Sequence, residues 1–398
     1  MSHEIQKPKA EIFDIRRTGG LPLLLTALSA IGIVVSLIGA FVNTTQFAFS
    51  WLFAFFYFLT LCAGSLFWIL VHHATDAEWS VVVRRVLENV AALLPKVFIA
   101  LIPVLLCAPI LYKWWTIPAG VDELLDKKHG YLNHTFFYLR ALGYFGILSF
   151  LALKLKGLSV AQDADGHPKH TLAIRRIVFP GIALFAVSLT FAAIDWLMCL
   201  DYKWVSTMWG VYIFAGAAGS SMSLLVLLTT WLRKLGYMSY VTDEHYHIMG
   251  KLMLAFCVFW AYIGFDQYML IWYANIPEET RYFIRRNVGS WNYFSTILVV
   301  CRFFIPFPVL LMQPLKKRPA VICSVAGLLV AMQALDLYVI VMPMLHKGGY
   351  SFASLPFDLA ALLAIGCPLA LLFLRGLGKQ SLVPVRDPRL ELSLKLTN

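Results

Sequence analysis

Residues 47–73 read FAFSWLFAFFYFLTLCAGSLFWILVHH, and this stretch decides the fold class. No Asp, Glu, Lys or Arg occurs between Phe47 and Val71. A run of that length exceeds the ~20 apolar residues that carry a helix across a hydrocarbon core. A lone segment satisfies its backbone groups in lipid only by turning helical. Working outward, runs of the same kind predict spans at 21–42, 47–73, 88–111, 134–155, 172–199, 204–232, 247–273, 287–313, 319–343 and 354–374. The expectation is an all-α integral membrane protein with about ten transmembrane helices, forming a single polytopic domain over 1–398.

Composition agrees. The chain is 60% hydrophobic and 14% charged, against about 25% charged residues in a typical soluble domain. The first apolar run, Leu21–Ala40, is too long for a signal-peptide core and has no small-residue cleavage site after it. The N-terminus is therefore expected to stay on the side where it was made.

The formal net charge of +11 is a topology signal. Lysines and arginines on the side of the N-terminus outnumber those on the opposite side by more than two to one. They include Arg84–Arg85, Arg233–Lys234 and Lys316–Lys317–Arg318. The positive-inside rule then places both tails, 1–20 and 375–398, in the cytoplasm. A charge distributed in this way speaks against a nucleic-acid partner.

All seven cysteines fall in predicted spans and none forms C-x-x-C, so neither an iron–sulfur cluster nor a c-type haem is expected on this chain. The histidines sit at span ends, in loops or in tails, which offers no facing pair for a membrane haem. No metal site and no covalently bound cofactor is expected.

Two stretches repeat. Tyr57-x6-Gly64-Ser65 in span two recurs as Tyr212-x6-Gly219-Ser220 in span six, and the same offset carries Lys96 onto Lys251. Ala193-Ile194-Asp195 matches Ala334-Leu335-Asp336. This order suggests two parallel four-helix bundles, 47–199 (spans 2–5) and 204–343 (spans 6–9), with spans one and ten peripheral.

Ionisable groups in lipid are costly and usually face partners or water. The candidates on the cytoplasmic side are His72, His73, Glu88, Lys96, Glu244, His245, His247 and Lys251. Those at the outer side and midplane are Asp195, Asp201, Asp266, Arg302 and Asp336. Glu88 and Lys96, two helical turns apart, are expected on one face, as are Glu244, His247 and Lys251. One reading makes these groups two hydrated proton half-channels that end near Arg302, because the outer acids exceed the single cation Arg140 within the spans. The other reading makes them helix staples and snorkelling span ends. The aromatics Trp196, Trp204, Trp209, Trp272–Tyr273 and Trp291 fit an interfacial belt. With Asp266, Arg302 and Asp336, the residues Gln267 and Trp291 are candidates for a quinone slot.

Several longer stretches carry a resemblance. Phe55-Phe56-Tyr57, Ala63-Gly64-Ser65, His72-His73, Glu78-Trp79 and Arg84-Arg85 resemble the NrfD-like family of quinone-interacting membrane subunits. A second set is more specific: Glu244-His245-Tyr246-His247-x3-Lys251, Phe259-Trp260-Ala261-Tyr262, Asp266-Gln267-Tyr268 and Ile271 through Thr280. With Gly289-Ser290-Trp291 and Leu335-Asp336-Leu337-Tyr338, it is similar to the smaller of the two NrfD-like subunits of bacterial alternative complex III. The resemblance covers about 50–345. In place of an expected His-Phe pair, the eighth span has Cys301-Arg302-Phe303-Phe304.

The resemblance implies a subunit of a quinol:electron-acceptor oxidoreductase in the bacterial inner membrane. Its partners would be the larger NrfD-like paralogue, an iron–sulfur subunit, c-type cytochrome subunits and a terminal oxidase. Haem c and iron–sulfur clusters would belong to those partners; the larger paralogue is the one associated with quinol oxidation and this smaller subunit is a candidate proton path, with a quinol-binding or quinol-oxidising role on this chain as the alternative. A purely structural scaffold is the bland alternative; a secondary transporter ranks last, since no matched Pro pair interrupts the repeats.

Overall fold

A computed structural model describes residues 10–397. Ten helices are long and apolar enough to cross a membrane: α1 Leu21–Val42, α2 Thr44–Ala74, α3 Glu78–Leu106, α4 His134–Asp165, α5 Lys169–Asp201, α6 Trp209–Lys234, α7 Asp243–Ala274, α8 Trp291–Leu311, α9 Pro319–Met344 and α10 Phe352–Leu377. Among the described residues there is no strand, only an isolated bridge between Ile12 and Ser381. The chain is an all-α integral membrane protein.

Packing repeats along the chain. Within the first four helices of the repeat, α2 packs on α3 and α5, and α4 packs on α3 and α5; α6, α7, α8 and α9 make the same four pairings in the same order. The two sets meet through α2 against α6, with α2 also touching α9 and α6 touching α5. Helix α1 lies on α10, which lies on α2. Burial follows this order: 78% of the apolar window of α2 is buried, against 17% in α1.

Small residues set the central crossing. A Cβ on Gly64 would stand 2.1 Å from the carbonyl oxygen of Ala217, so α2 and α6 touch backbone to backbone. Helices in lipid gain little from hydrophobicity and associate through such close packing.

Three differences from the sequence expectations have local causes. Helix α3 begins at Glu78 instead of 88, because Arg84 and Arg85 are buried and paired with Glu88, Asp387 and Asp163. The helix then breaks at Ala92–Leu93, just ahead of Pro95, which cannot donate to the carbonyl of Ala91. Finally, Gln162–Asp165, expected in a loop, complete α4, and Gly166 closes it with φ 69°.

The terminal segments are folded onto one end of the bundle. Leu382 donates to the carbonyl of Glu11, and Glu11 Oε2 accepts from the amide of Met238 between α6 and α7. Arg84 and Asp387 meet at 2.5 Å, and Ser393 donates to the carbonyl of Trp79. The expected tail at 375–398 is thus α10 followed by a packed strap. Residues 1–9 of the expected N-terminal tail lie outside the described residues.

Candidate functional site

The most conspicuous concavity lies in the second bundle. Helices α7 and α8 are in contact along Pro306–Leu311 and diverge toward Trp291–Val299. Between them opens a cavity of about 820 Å³, closed behind by α6, α9 and the short helix Pro277–Arg286. Its mouth carries Tyr262, Phe265 and Phe304, which are exposed on the outer surface of the helices where lipid would lie. The size falls within the range of small-molecule sites.

The bend that opens it is written in α8. Pro306 has no N–H for the carbonyl of Arg302, and the helix relaxes into a π-turn over Val300–Phe304. The freed carbonyl accepts from Cys257 Sγ at 3.2 Å. Arg302 is thereby turned inward against Asp336 at 2.7 Å, and it also donates to Gln333 at 2.5 Å. Asp336 accepts further from Tyr212 Oη at 2.6 Å and Trp260 Nε1 at 3.1 Å. This carboxylate, facing the cavity floor, is surrounded by donors.

Arg286 is the unusual lining group. It is 7% exposed and, among the described residues, has no carboxylate within ion-pair distance. Its terminal nitrogens donate to the carbonyls of Tyr282 (2.8 Å) and Ile340 (2.7 Å), and its guanidinium carbon stands 3.5 Å from the centre of the Tyr282 ring. Its Nε is buried without any acceptor. Burial lowers the Arg286 guanidinium from its ordinary value, and the same burial pushes Tyr282 up to about 12. A buried donor with no partner costs roughly 1 to 3 kcal/mol, and this one belongs to a residue of the cavity lining.

Of the quinone-slot candidates, Gln267 and Asp336 line the cavity, and Arg302 sits behind Asp336. Gln267 accepts from Ser206 and donates to the carbonyl of Ile263. Trp291 is elsewhere: it is fully buried and donates to the carbonyl of His346 at 2.7 Å. Asp266 is half-buried and bonds to none of the described residues. It does not line the cavity.

The expected acid excess on the outer side disappears. Asp195 takes two hydrogen bonds from Arg140, at 2.7 and 3.0 Å, and one from Tyr144 at 2.9 Å. Asp201 is held by Arg281 at 3.0 Å and Arg285 at 2.5 Å. Both of those arginines come from the short helix Pro277–Arg286, which lies outside the spanning helices. Trp196, Trp204 and Trp209 are also buried, so they are core residues; Trp272 and Tyr273 are exposed as belt residues are.

The cytoplasmic-side candidates form two separate groups. In the first, Glu88 lies 3.3 Å from Arg84 and 3.2 Å from Arg85, and Arg84 with Arg389 neighbours His72 and His73. Both ring nitrogens of His72 and Nε2 of His73 are buried without partners. Lys96 does not join them: the break at Ala92–Leu93 turns it outward, and it is exposed. In the second group, Glu244 pairs with Lys317, His247 is buried with Nδ1 unpartnered, and Lys251 is exposed. His245 caps α7 through Thr242. No three His, Cys, Asp or Glu side chains among the described residues converge as a metal site would require.

Sequence reasoning passed over Arg281, Arg285 and Arg286. The available signal was their place: three arginines in a loop on the side where the positive-inside bias disfavours them. Comparison of the sequence with protein-family models gives no match, and comparison with curated proteins gives none either.

Proposed function

We propose that this chain is a membrane subunit of a respiratory quinol:electron-acceptor oxidoreductase of the alternative complex III type, and that it takes a quinone head from the lipid into the α7–α8 cavity. The observation that carries the reading is an aromatic-walled cavity that opens where lipid would lie and has Arg286, a buried guanidinium without a carboxylate partner among the described residues, in its lining. A quinone has what that wall lacks: a carbonyl oxygen on a flat ring, joined to an apolar tail. Arg286 would donate to the carbonyl. Tyr282, Phe283 and Tyr268 supply aromatic walls, and the tail would leave past Tyr262 and Phe304.

Under this reading the chain brings no redox centre of its own. Electrons would pass to iron–sulfur and c-type haem subunits, beside the larger NrfD-like paralogue and a terminal oxidase. The membrane would be the bacterial inner membrane, with the end bearing Arg84–Arg85 and both terminal segments in the cytoplasm.

A second role is favoured by one observation: the three partnerless ring nitrogens of His72 and His73, near Arg84 and Arg389. Buried polar atoms in such numbers call for water, and histidines beside water can hold and pass protons. The outer carboxylates, locked onto arginines, suit helix stapling better than proton transfer.

Isolation from native membranes tests the reading. The chain should co-purify with c-type haem and quinol:acceptor activity, and added quinone should quench its tryptophan fluorescence with saturation. Purification as a lone chain that binds no quinone would refute it.

A further inference from the structure

At the end of the second bundle opposite the cavity, the first turns of α7 meet the connection between α8 and α9. Lys316 in that connection is 6% exposed, and its stem lies on Gly250, where a Cβ would stand 3.0 Å from Lys316 Cγ. Its ammonium makes no hydrogen bond or ion pair with the described residues. Lys251 and Arg318 are exposed nearby and also unpaired, and Lys317 is the single cation of the group with an acid, Glu244. His247, buried beside them, leaves Nδ1 without a partner. Burial and the neighbouring Lys251 hold the Lys316 ammonium below its ordinary value.

We propose that this cluster binds the phosphodiester of an anionic phospholipid. The argument is one of charge and place. Lys251, Lys316, Lys317 and Arg318 face only Glu244 and the exposed Asp243, so two positive charges await an anion. The N-terminus of α9 begins at Pro319, directly after Arg318, and adds its partial positive charge. A soluble anion would satisfy the charge alone. Leu311 and Met312, exposed at 60% and 56% beside the cluster, would also cover an acyl chain. Phosphate and apolar tail together describe a phospholipid. The site is independent of the quinone reading.

The test uses full-length protein, delipidated in neutral detergent and titrated with phosphatidylglycerol, phosphatidylcholine or inorganic phosphate, with bound lipid counted by native mass spectrometry. Phosphatidylglycerol should be retained preferentially. Lys316→Met, which keeps the packed stem, should weaken its retention about fivefold, the usual scale for one basic residue at an anionic membrane surface. Lys251→Gln, at an exposed and uncontacted position, should act in the same direction and serves if Lys316→Met folds poorly. Equal retention of the two lipids, or unchanged retention in the variants, would overturn the proposal. Displacement of phosphatidylglycerol by millimolar inorganic phosphate would overturn the assignment to lipid.

Discussion

Arg302 on α8 meets Asp336 on α9 at 2.7 Å, and this pair has a counterpart in Arg140 and Asp195, which meet at 2.7 Å between α4 and α5. In each bundle the third helix supplies the arginine, the fourth supplies the aspartate, and a tyrosine hydroxyl completes the carboxylate: Tyr212 in one, Tyr144 in the other. The tyrosines come from different helices. The ion pair recurs in the two bundles, while its surroundings differ.

Breaking either pair should leave a buried, unpaired arginine. Asp336→Leu is expected to destabilise by about 3 to 5 kcal/mol, whereas Arg302→Met with Asp336→Leu should recover most of that loss. Thermal unfolding in detergent of the single and double variants measures the difference. Equal losses in both would show that the charge pair is not the source.

The α2–α6 crossing gives a steric prediction. Gly64→Ala should force the backbones apart at Ala217 and sharply lower the yield of folded protein. Gly327→Ala meets nothing within 4 Å and should be neutral or stabilising by about 0.5 to 1 kcal/mol. Size-exclusion profiles of the two variants, made side by side, check this.

The strap formed by the C-terminal segment should respond to acid. Burial alone would raise Asp387, but Arg84 and Arg389 overcome it and hold the carboxyl well below its ordinary value. A depressed carboxylate contributes stability that is fully present above the unfolded value of about 3.9. That contribution is lost as pH falls below it toward the folded value. Protection of the amides over 380–395, taken relative to intrinsic exchange at each pH, should therefore be high at neutral pH and fall below about pH 4. Asp387→Asn should show the reduced protection already at neutral pH.

The helical spans were legible because long uncharged runs such as 47–73 have one solution in lipid. The paired aspartates were visible as well, since Asp195 and Asp336 stand in matching motifs. What stayed hidden depended on geometry that no spacing reveals. The break before Pro95 separates Glu88 from Lys96, although helical arithmetic puts them on one face. Arg281 and Arg285 reach Asp201 from a loop helix, so a search restricted to spans misses them. The cavity arises from the π-turn at Val300–Phe304, and its key residue, Arg286, is held by backbone carbonyls and a tyrosine ring, with no acid to mark it in the sequence.

Arg286 can be tested without removing its charge. Arg286→Lys keeps the cation and loses the Nε donor. Quinone affinity, read by saturation of tryptophan quenching, should fall about tenfold, as expected for one hydrogen bond from a charged group. Gln267→Glu, whose amide is already engaged with Ser206 and Ile263, should perturb binding less.

The most direct measurement is photolabelling with an azidoquinone in native membranes, followed by peptide mapping. The label should fall on Tyr262–Tyr268 or Ser295–Phe304, be displaced by excess unmodified quinone, and weaken in Ser295→Trp, which narrows the cavity. Labelling that lies elsewhere on the chain, or that persists unchanged in Ser295→Trp, would contradict a quinone site between α7 and α8.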